Sequence, residues 1–432
     1  MNLTRIGNVL LLFLFLTKFG FAQQTLKLSR TESEAIFIKE NLLLIAEKLE
    51  IDQAEAKVIQ AKLWPNPTLT IDQFNLWATK SQTDGQVVIP ALGSVLGQNQ
   101  QIGLEVEQLI ITAGKRKKLI ALEKVSVEKS KEYFEDLVRN LKVEFRNKLT
   151  ELQYLQLVKS IYQNQLTSLQ QVATGYKNQV EQGNFPKGEY IRIKALELEI
   201  SKENVNISNE INEVQKDLKL LMRLAPTISI EITPEGYQKE INQINDFILT
   251  NLIEKARENR SDFKIAKLEE SYQNKLLQYE KALKTPNITL SGAYDRGGNA
   301  MWDFIGFGIS IDLPVFNRNQ GNIAAAKTGI EQAKAKFENI NLTVENEIDL
   351  AQKNLKSAVE FYHQIEPNYE ATLDELLTNY TKNFRSRKIS LLEYIDFLET
   401  YLGNKKIILE AIKNINKKSE ELNYTVGSDI IK

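Results

Sequence analysis

Between Phe134 and Val180 the apolar residues Val138, Leu141, Phe145, Leu149, Leu152, Leu155, Val158, Tyr162, Leu166, Leu169, Val172 and Tyr176 recur at steps of three or four. That is a repeat near 3.5, the period of a left-handed coiled coil. It predicts one helix from about Ala113 to Gln182, on the order of 100 Å long at the usual rise per residue. Gly183-Asn184-Phe185-Pro186 supplies a tight reversal, and Tyr190 to Leu224 runs back as a second helix until Pro226 stops it. A helix of that length does not fit a compact domain. Apolar residues make up 42% of the chain, too much for disorder, and 9 Pro with 20 Gly in 432 residues is poor material for many separate domains. The helices by themselves would suit a solvated coiled-coil scaffold.

Four short segments break the helical pattern. Thr68 to Trp77, Gln101 to Ile111, Asn287 to Arg296 and Phe304 to Leu313 have strand character. Ile305, Phe307, Ile309, Ile311 and Leu313 alternate with Gly306, Gly308, Ser310 and Asp312; Ile102, Leu104 and Val106 alternate with Gly103, Glu105 and Glu107. Each is near the ~10 residues that cross a bilayer as a tilted strand, apolar residues outward and small or charged ones inward. Ordinary half-buried hairpins on a soluble domain are the competing reading.

The order of these parts repeats. Pro65-Asn66 precedes the first strand and Pro286-Asn287 the third, and Gly103 to Glu107 matches Gly308 to Asp312. Thr174, Tyr176 and Glu189-Tyr190-Ile191 match Thr378, Tyr380 and Glu393-Tyr394-Ile395 at a constant offset. The chain is an internal duplication, each half running helix, strand, strand, long helix, turn, returning helix. Between the halves, Ile228 to Ile232 is a β-prone stretch expected as a connector on the outside of the helices.

At the N-terminus, Arg5, the apolar run Val9 to Leu16 and Gly20-Phe21-Ala22 before Gln23 form a secretory signal over residues 1–22. As a membrane anchor that run is about half the ~20 residues needed. With 55 Lys+Arg against 56 Asp+Glu there is no global charge to attract nucleic acid. No Cys and a single His, His363, leave nothing for thiol chemistry, a disulfide framework or a His-cluster metal site, and no cofactor motif is present. Gly297-Gly298 has no Lys-Ser/Thr partner and suits a hairpin tip better than a phosphate loop. The strand carboxylates Asp72, Glu105, Glu107, Asp295 and Asp312 admit acid–base chemistry on paper, but a wet lumen accounts for them without special pKa values, so no enzyme is expected.

Three stretches carry a family resemblance. Leu63-Trp64-Pro65-Asn66-Pro67-Thr68-Leu69 resembles the helix-to-strand passage of the TolC-type outer-membrane efflux proteins. Ile311-Asp312-Leu313-Pro314-Val315-Phe316-Asn317-Arg318-Asn319-Gln320-Gly321 resembles that family's exit from its fourth strand, and Lys388-Ile389-Ser390-Leu391-Leu392-Glu393-Tyr394-Ile395-Asp396 its second periplasmic tip. The likeness spans essentially the whole mature chain. Arg387 departs from it, standing where a small residue is expected, and so does the missing lipid-attachment cysteine, which leaves anchoring to the barrel alone.

The expected fold class is therefore mainly α with a membrane β-barrel portion. Four strands cannot close a membrane barrel, since an open edge in lipid leaves backbone groups unpaired. Three copies give twelve strands with closed cyclic symmetry, as the resemblance also implies, continued by a long helical tunnel into the periplasm. The parts are leading helices at 23–64, a transmembrane hairpin at 65–112, a periplasmic helical hairpin at 113–224, an equatorial connector at 225–245, a second leading helix at 246–284, a second transmembrane hairpin at 285–317, a second helical hairpin at 318–420 and a tail at 421–432. The strand hairpins' tips, Asp84 to Gly97 and Arg296 to Met301, would face outward.

The resemblance implies the outer-membrane channel of a tripartite efflux pump. Its partners would be a periplasmic adaptor, an inner-membrane pump of the resistance-nodulation-division type, outer-membrane lipid and two further copies of the chain. A type I secretion outlet shares the fold. By resemblance, Glu393 and Asp396 form an acidic periplasmic gate; in the first half the corresponding residues are Glu189 and Arg192, and Arg192, Arg385 or Arg387 would bridge the carboxylates of a closed gate. Gly183, Asn184, Gly188, Arg387 and Ser390 are the candidate adaptor-contact tips, and Glu105, Glu107, Asp295 and Asp312 the candidate lumen residues.

Overall fold

The computed structural model describes residues 25–75, 101–237, 247–296 and 303–431. The signal segment, Asp84 to Gly97, Gly297-Gly298 and the remainder of the second outward tip after Arg296 lie outside the described residues. The chain divides into two compact units, one of residues up to 47, 134–261 and 341–432, the other of 48–133 and 262–340.

The first unit is helical around one core. Strand β1 (Thr25–Leu28) leads to α1 (Arg30–Glu40). Ser29 and Glu32 close a capping box there: the Ser29 N–H and hydroxyl donate to the Glu32 carboxylate at 2.8 Å each. Asn41 then breaks the helix and starts α2 (Leu42–Lys62), its Oδ1 accepting from the Leu43 and Leu44 N–H groups while its Nδ2 donates to the Leu221 carbonyl. The 3.5-residue pattern becomes α3 (Lys115–Glu181), which is followed by α4 (Lys187–Leu221). Its seam residues Leu141, Phe145, Leu149, Leu152, Leu155, Val158, Leu169 and Val172 are buried, facing Ile193, Ile200 and Leu218 of α4 in the same core.

Strand β4 (Ser229–Ile232) corrects one expectation. More than a connector, it pairs in parallel with β1 and puts Ile230 and Ile232 into the core, while Glu231 on its other face stays exposed. Gln215 brackets Ile230, accepting from its N–H and donating to its carbonyl, and Gln156 does the same for the Ile232 N–H and Ile230 carbonyl. Two glutamines thus stand in for a neighbouring strand, which is why a four-residue strand can be buried there.

The second half adds α5 (Leu249–Asn259) and α6 (Ser261–Leu283), then α7 (Gln320–His363), α8 (Tyr369–Arg385) and α9 (Leu391–Val426). The one leading helix and one long helix expected there are each broken in two. Arg260 interrupts the first, as Asn41 does in the first half. Pro367 interrupts the second: it has no N–H to donate and turns the preceding residue from helix, and Asn368 follows with a left-handed φ of 66°. At the C-terminus Gly427 ends α9 at φ 76°. Arg146 there grips Glu34 with two hydrogen bonds of 2.8 and 3.0 Å and also donates to Glu420 and Asp429. Burial alone would raise the Asp429 pKa, but Arg146 and Lys142 outweigh it and hold this carboxyl at about 2.

The second unit holds a four-stranded antiparallel sheet, in the order β2 (Thr68–Asn75), β3 (Gln101–Ile110), β5 (Ile288–Arg296), β6 (Asp303–Ile311). Cross-strand partners share a face. The pairs Ile71↔Leu104↔Tyr294↔Ile305 and Leu69↔Val106↔Gly292↔Phe307, with the rows through Leu290↔Ile309 and Ile110↔Ile288↔Ile311, therefore make one face apolar. Most of its side chains are exposed, Phe307 at 91% and Ile309 at 72%. Among the described helices none is long and apolar enough to cross a membrane.

Candidate functional site

The other face of the sheet collects the carboxylates. Asp72 and Asp295 flank Gly103 from the strands on either side, Glu105 lies between Thr70 and Ala293, and Glu107 between Thr68 and Ser291. Gly103 relieves this crowding, since a Cβ there would come within 2.2 Å of the Asp72 Oδ1 and 3.1 Å of the Asp72 carbonyl oxygen. Gly306, Gly308 and Ser310 continue the face along β6. Three of the four expected lumen residues, Glu105, Glu107 and Asp295, are thus brought together with Asp72, and no Lys or Arg stands among the described positions of β2 to β6 that point this way. Asp312 lies one residue past the end of β6.

The two helical turns, both in the first unit, share a backbone. The Asn184 N–H bonds the Gln179 carbonyl and the Lys388 N–H the Asn383 carbonyl, the long closing bond of a helix that ends in a left-handed residue. That residue is Gly183, φ 77°, in the first turn and Arg387, φ 61°, in the second. The duplication thus carries the left-handed position over, and the turn keeps its shape without glycine. Arg387 lies 4.7 Å over the Phe185 ring, a cation–π contact that offsets part of the strain of an L-residue in this conformation.

An aromatic stack joins the two turns, a feature the sequence reading passed over. Phe185 stacks on Tyr176 at 4.8 Å, Tyr176 on Phe384 at 5.6 Å and Phe384 on Tyr394 at 4.6 Å. Tyr394 is 1% exposed, and burial raises its phenol pKa. The available signal was Tyr380 and Phe384, one helical turn apart before the second turn, with Tyr380 repeated as Tyr176 before the first.

Gly183, Asn184, Gly188, Arg387 and Ser390 are all exposed around this stack. Gly188 lies in the first turn of α4, with no positive φ and nothing within 4 Å of a Cβ, so the fold of the chain does not require glycine there.

Glu393 and Asp396 lie on α9, both exposed. Glu393 has a local task that the sequence reading missed, although Ser390-Leu391-Leu392-Glu393 is the signature of a capping box. Its Oε2 accepts from the Ser390 N–H at 2.8 Å and from the hydroxyl at 2.7 Å, and these bonds lower its pKa. At the matching first-half position Pro186 offers neither group, and α4 starts without a side-chain cap. Arg385 donates to Gln171 and Arg387 stacks on Phe185. No ion pair among the described residues joins Arg192, Arg385 or Arg387 to either carboxylate, so the expected bridge is not made within the chain.

No family model and no characterised relative matches the sequence. Solved structures do. A membrane protein from Pseudomonas aeruginosa superposes with a TM-score of 0.71 at 16% identity, over 92% of this chain and 90% of that one. The Campylobacter jejuni CmeC outer membrane channel gives 0.70 at 14%, over 93% and 86%. The Vibrio cholerae outer membrane protein VceC gives 0.65 at 14%, over 92% and 96%. Identities this low establish architecture alone, and the architecture is that of the outer-membrane channels the sequence motifs resemble: the chain has the TolC-type fold.

Proposed function

We propose that this chain is the outer-membrane channel of a tripartite efflux pump, a passive conduit for small toxic solutes. The observation that carries the reading is the sheet. It has one exposed apolar face, one acidic face, and two edge strands, β2 and β6, whose outer sides have no partner among the described residues. In lipid each unpaired backbone group costs several kcal/mol, so the sheet is stable there only when β2 of one copy pairs with β6 of the next. Three copies close twelve strands, with the apolar face toward lipid and Glu105, Glu107 and Asp295 toward the lumen.

The remaining assignments follow from that ring. Helices as charged as α3 and α9 stay outside the bilayer and extend the channel into the periplasm. Glu393 and Asp396 of three copies bring six carboxylates toward one axis, an acidic gate whose mutual repulsion is relieved by cations or by arginines of a neighbouring copy. The exposed turns meet a periplasmic adaptor, and Gly188, unnecessary for the fold, leaves room for an adaptor backbone to approach closely. An inner-membrane transporter of the resistance-nodulation-division type would supply the solute. Membrane fractionation followed by amine cross-linking tests the reading. Trimer in the outer-membrane fraction is expected, whereas a soluble periplasmic monomer would overturn it.

A further inference from the structure

The sheet joins its helices through four short junctions, 60–67, 111–118, 281–287 and 312–320. Together they hold eight Lys or Arg residues and one carboxylate, Asp312, in a chain whose charges balance overall at 55 to 56. Half of the cations are consecutive, Lys115-Arg116-Lys117-Lys118, and they open α3 at its N-terminus, the end where the helix dipole disfavours positive charge. The helix dipole therefore gives no reason for them, although Lys118 donates to the Ala113 carbonyl at 2.8 Å. Lys115 is buried, its ammonium held on the Asn287 Oδ1; Arg116, Lys117 and Lys118 are more open, as are Lys284 and Arg318 on the neighbouring junctions.

The same junctions expose large apolar side chains. Phe316 is 91% exposed, Leu313 78% and Trp64 58%. Arg116 packs its guanidinium 4.1 Å from the Trp64 ring centroid and donates to the Lys62 carbonyl, so cation and aromatic ring are held as one unit. These groups follow directly on the last row of the apolar face, Ile110↔Ile288↔Ile311. Amphipathic rings and cations just past a lipid-facing surface belong at the headgroup level of a bilayer, and the excess of positive charge selects for negative headgroups.

We propose that the helix–strand junctions form a basic and aromatic collar that binds the phosphates of anionic phospholipids in the periplasm-facing leaflet. The inference rests on the reading that the apolar face of the sheet meets lipid. Arg116, Lys117, Lys118 and Arg318 hold the headgroups, and Trp64 and Phe316 insert among the upper acyl carbons.

Spin-label resonance on the whole protein in dioleoylphosphatidylcholine vesicles tests both layers, using spin-labelled phosphatidylglycerol and spin-labelled phosphatidylcholine as probes. Motionally restricted lipid of either kind reports that the sheet is in the membrane. The collar adds a preference for phosphatidylglycerol of about fivefold or more, the effect of one surface cation, which collapses in roughly 1 M salt. The variant Arg116→Gln/Lys117→Gln/Lys118→Gln/Arg318→Gln loses the preference; Arg116→Lys/Lys117→Arg/Lys118→Arg/Arg318→Lys keeps it. Equal restriction of the two lipids by the natural protein, or an unchanged preference in the neutral variant, overturns the collar and leaves the lipid-facing sheet standing. Absence of restricted lipid of either kind overturns the sheet's placement, and the collar with it.

Discussion

The two halves of the chain share the order of their parts and the backbone of their turns, and differ in chemistry at several of the candidate functional positions. Their turns close with the same hydrogen bonds, yet one uses Gly183 and the other Arg387 at the left-handed residue. One returning helix starts at an uncapped Pro186, the other at Ser390 with a capping box. In the sheet, the first hairpin carries Asp72, Glu105 and Glu107, while β6 of the second presents Gly306, Gly308 and Ser310 on that face. Geometry set by hydrogen bonding and core packing has survived the duplication. Chemistry that geometry does not need has diverged, so the proposed ring of three chains would alternate two kinds of tip and two kinds of hairpin.

The largest effect should come from charge placed on the shared sheet. Ile309→Arg and its first-half counterpart Leu104→Arg each put a guanidinium on the apolar face and should lower stability in the membrane by about 2 to 4 kcal/mol. Ser310→Arg and Glu105→Arg, one residue along, should be close to neutral. Heat-modified mobility of the assembled protein on gels reads the difference. Equal behaviour of all four variants would break the two-faced description of the sheet.

A smaller effect separates the turns. Gly183→Ala puts a Cβ on a left-handed residue and should cost about 1 kcal/mol or slightly more. Arg387→Gly relieves that strain but loses the stack on Phe185, about 0.5 to 1 kcal/mol, and should leave thermal stability nearly unchanged. A large loss from Arg387→Gly would mean that the arginine, not the backbone, shapes the second turn.

Next come the caps. Ser390→Ala should cost about 1 kcal/mol, whereas Pro186→Ala removes no side-chain cap. Gln can occupy the third position of a capping box as Glu does. Glu393→Gln therefore keeps the helix start and removes the charge, separating the structural task of Glu393 from the proposed gate. In planar-bilayer recordings Glu393→Gln/Asp396→Asn should reduce cation selectivity and weaken block by divalent cations. Unchanged selectivity and block would leave Glu393 as a cap and nothing more.

The smallest effect is in pH. The Ser390 hydrogen bonds lower the folded-state pKa of Glu393, so the stability they contribute is present above the ordinary carboxylate range and is lost as pH falls through the lowered value. The charge on the proposed gate should likewise persist below that range in the natural protein. In Ser390→Ala the loss of selectivity on acidification should move to higher pH, as a titration of the recordings would show.

Much of this was legible in the residues because two periods carry it. The 3.5-residue run gave α3 almost to its ends, and the alternation in Phe304 to Leu313 gave β6 and its two faces. The duplication was legible because turn residues and their flanks repeat together. Features held by tertiary partners were harder to see. Ile228 to Ile232 looked like an external connector because nothing local announces that Gln156 and Gln215 will bracket it, and Ile230 is buried through those side chains. The breaks at Arg260 and Pro367 were blurred by strong helical flanks. The capping box of Glu393 was legible in its spacing from Ser390, three residues before it.

A closed barrel of three copies requires β2 of one copy to pair with β6 of the next. The chain contains no cysteine, so engineered thiols report without background. Thr70→Cys on β2, combined in turn with Gly306→Cys, Gly308→Cys or Ser310→Cys on β6, samples neighbouring registers of that junction. Within one chain β2 and β6 are separated by two strands, roughly 15 Å at the usual strand spacing, so a disulfide between them joins different copies. At least one combination, oxidised in intact cells, is expected to give a covalent trimer in the outer membrane with no higher ladder. Failure of every combination to cross-link, or an open-ended ladder of oligomers, would contradict a closed twelve-stranded ring.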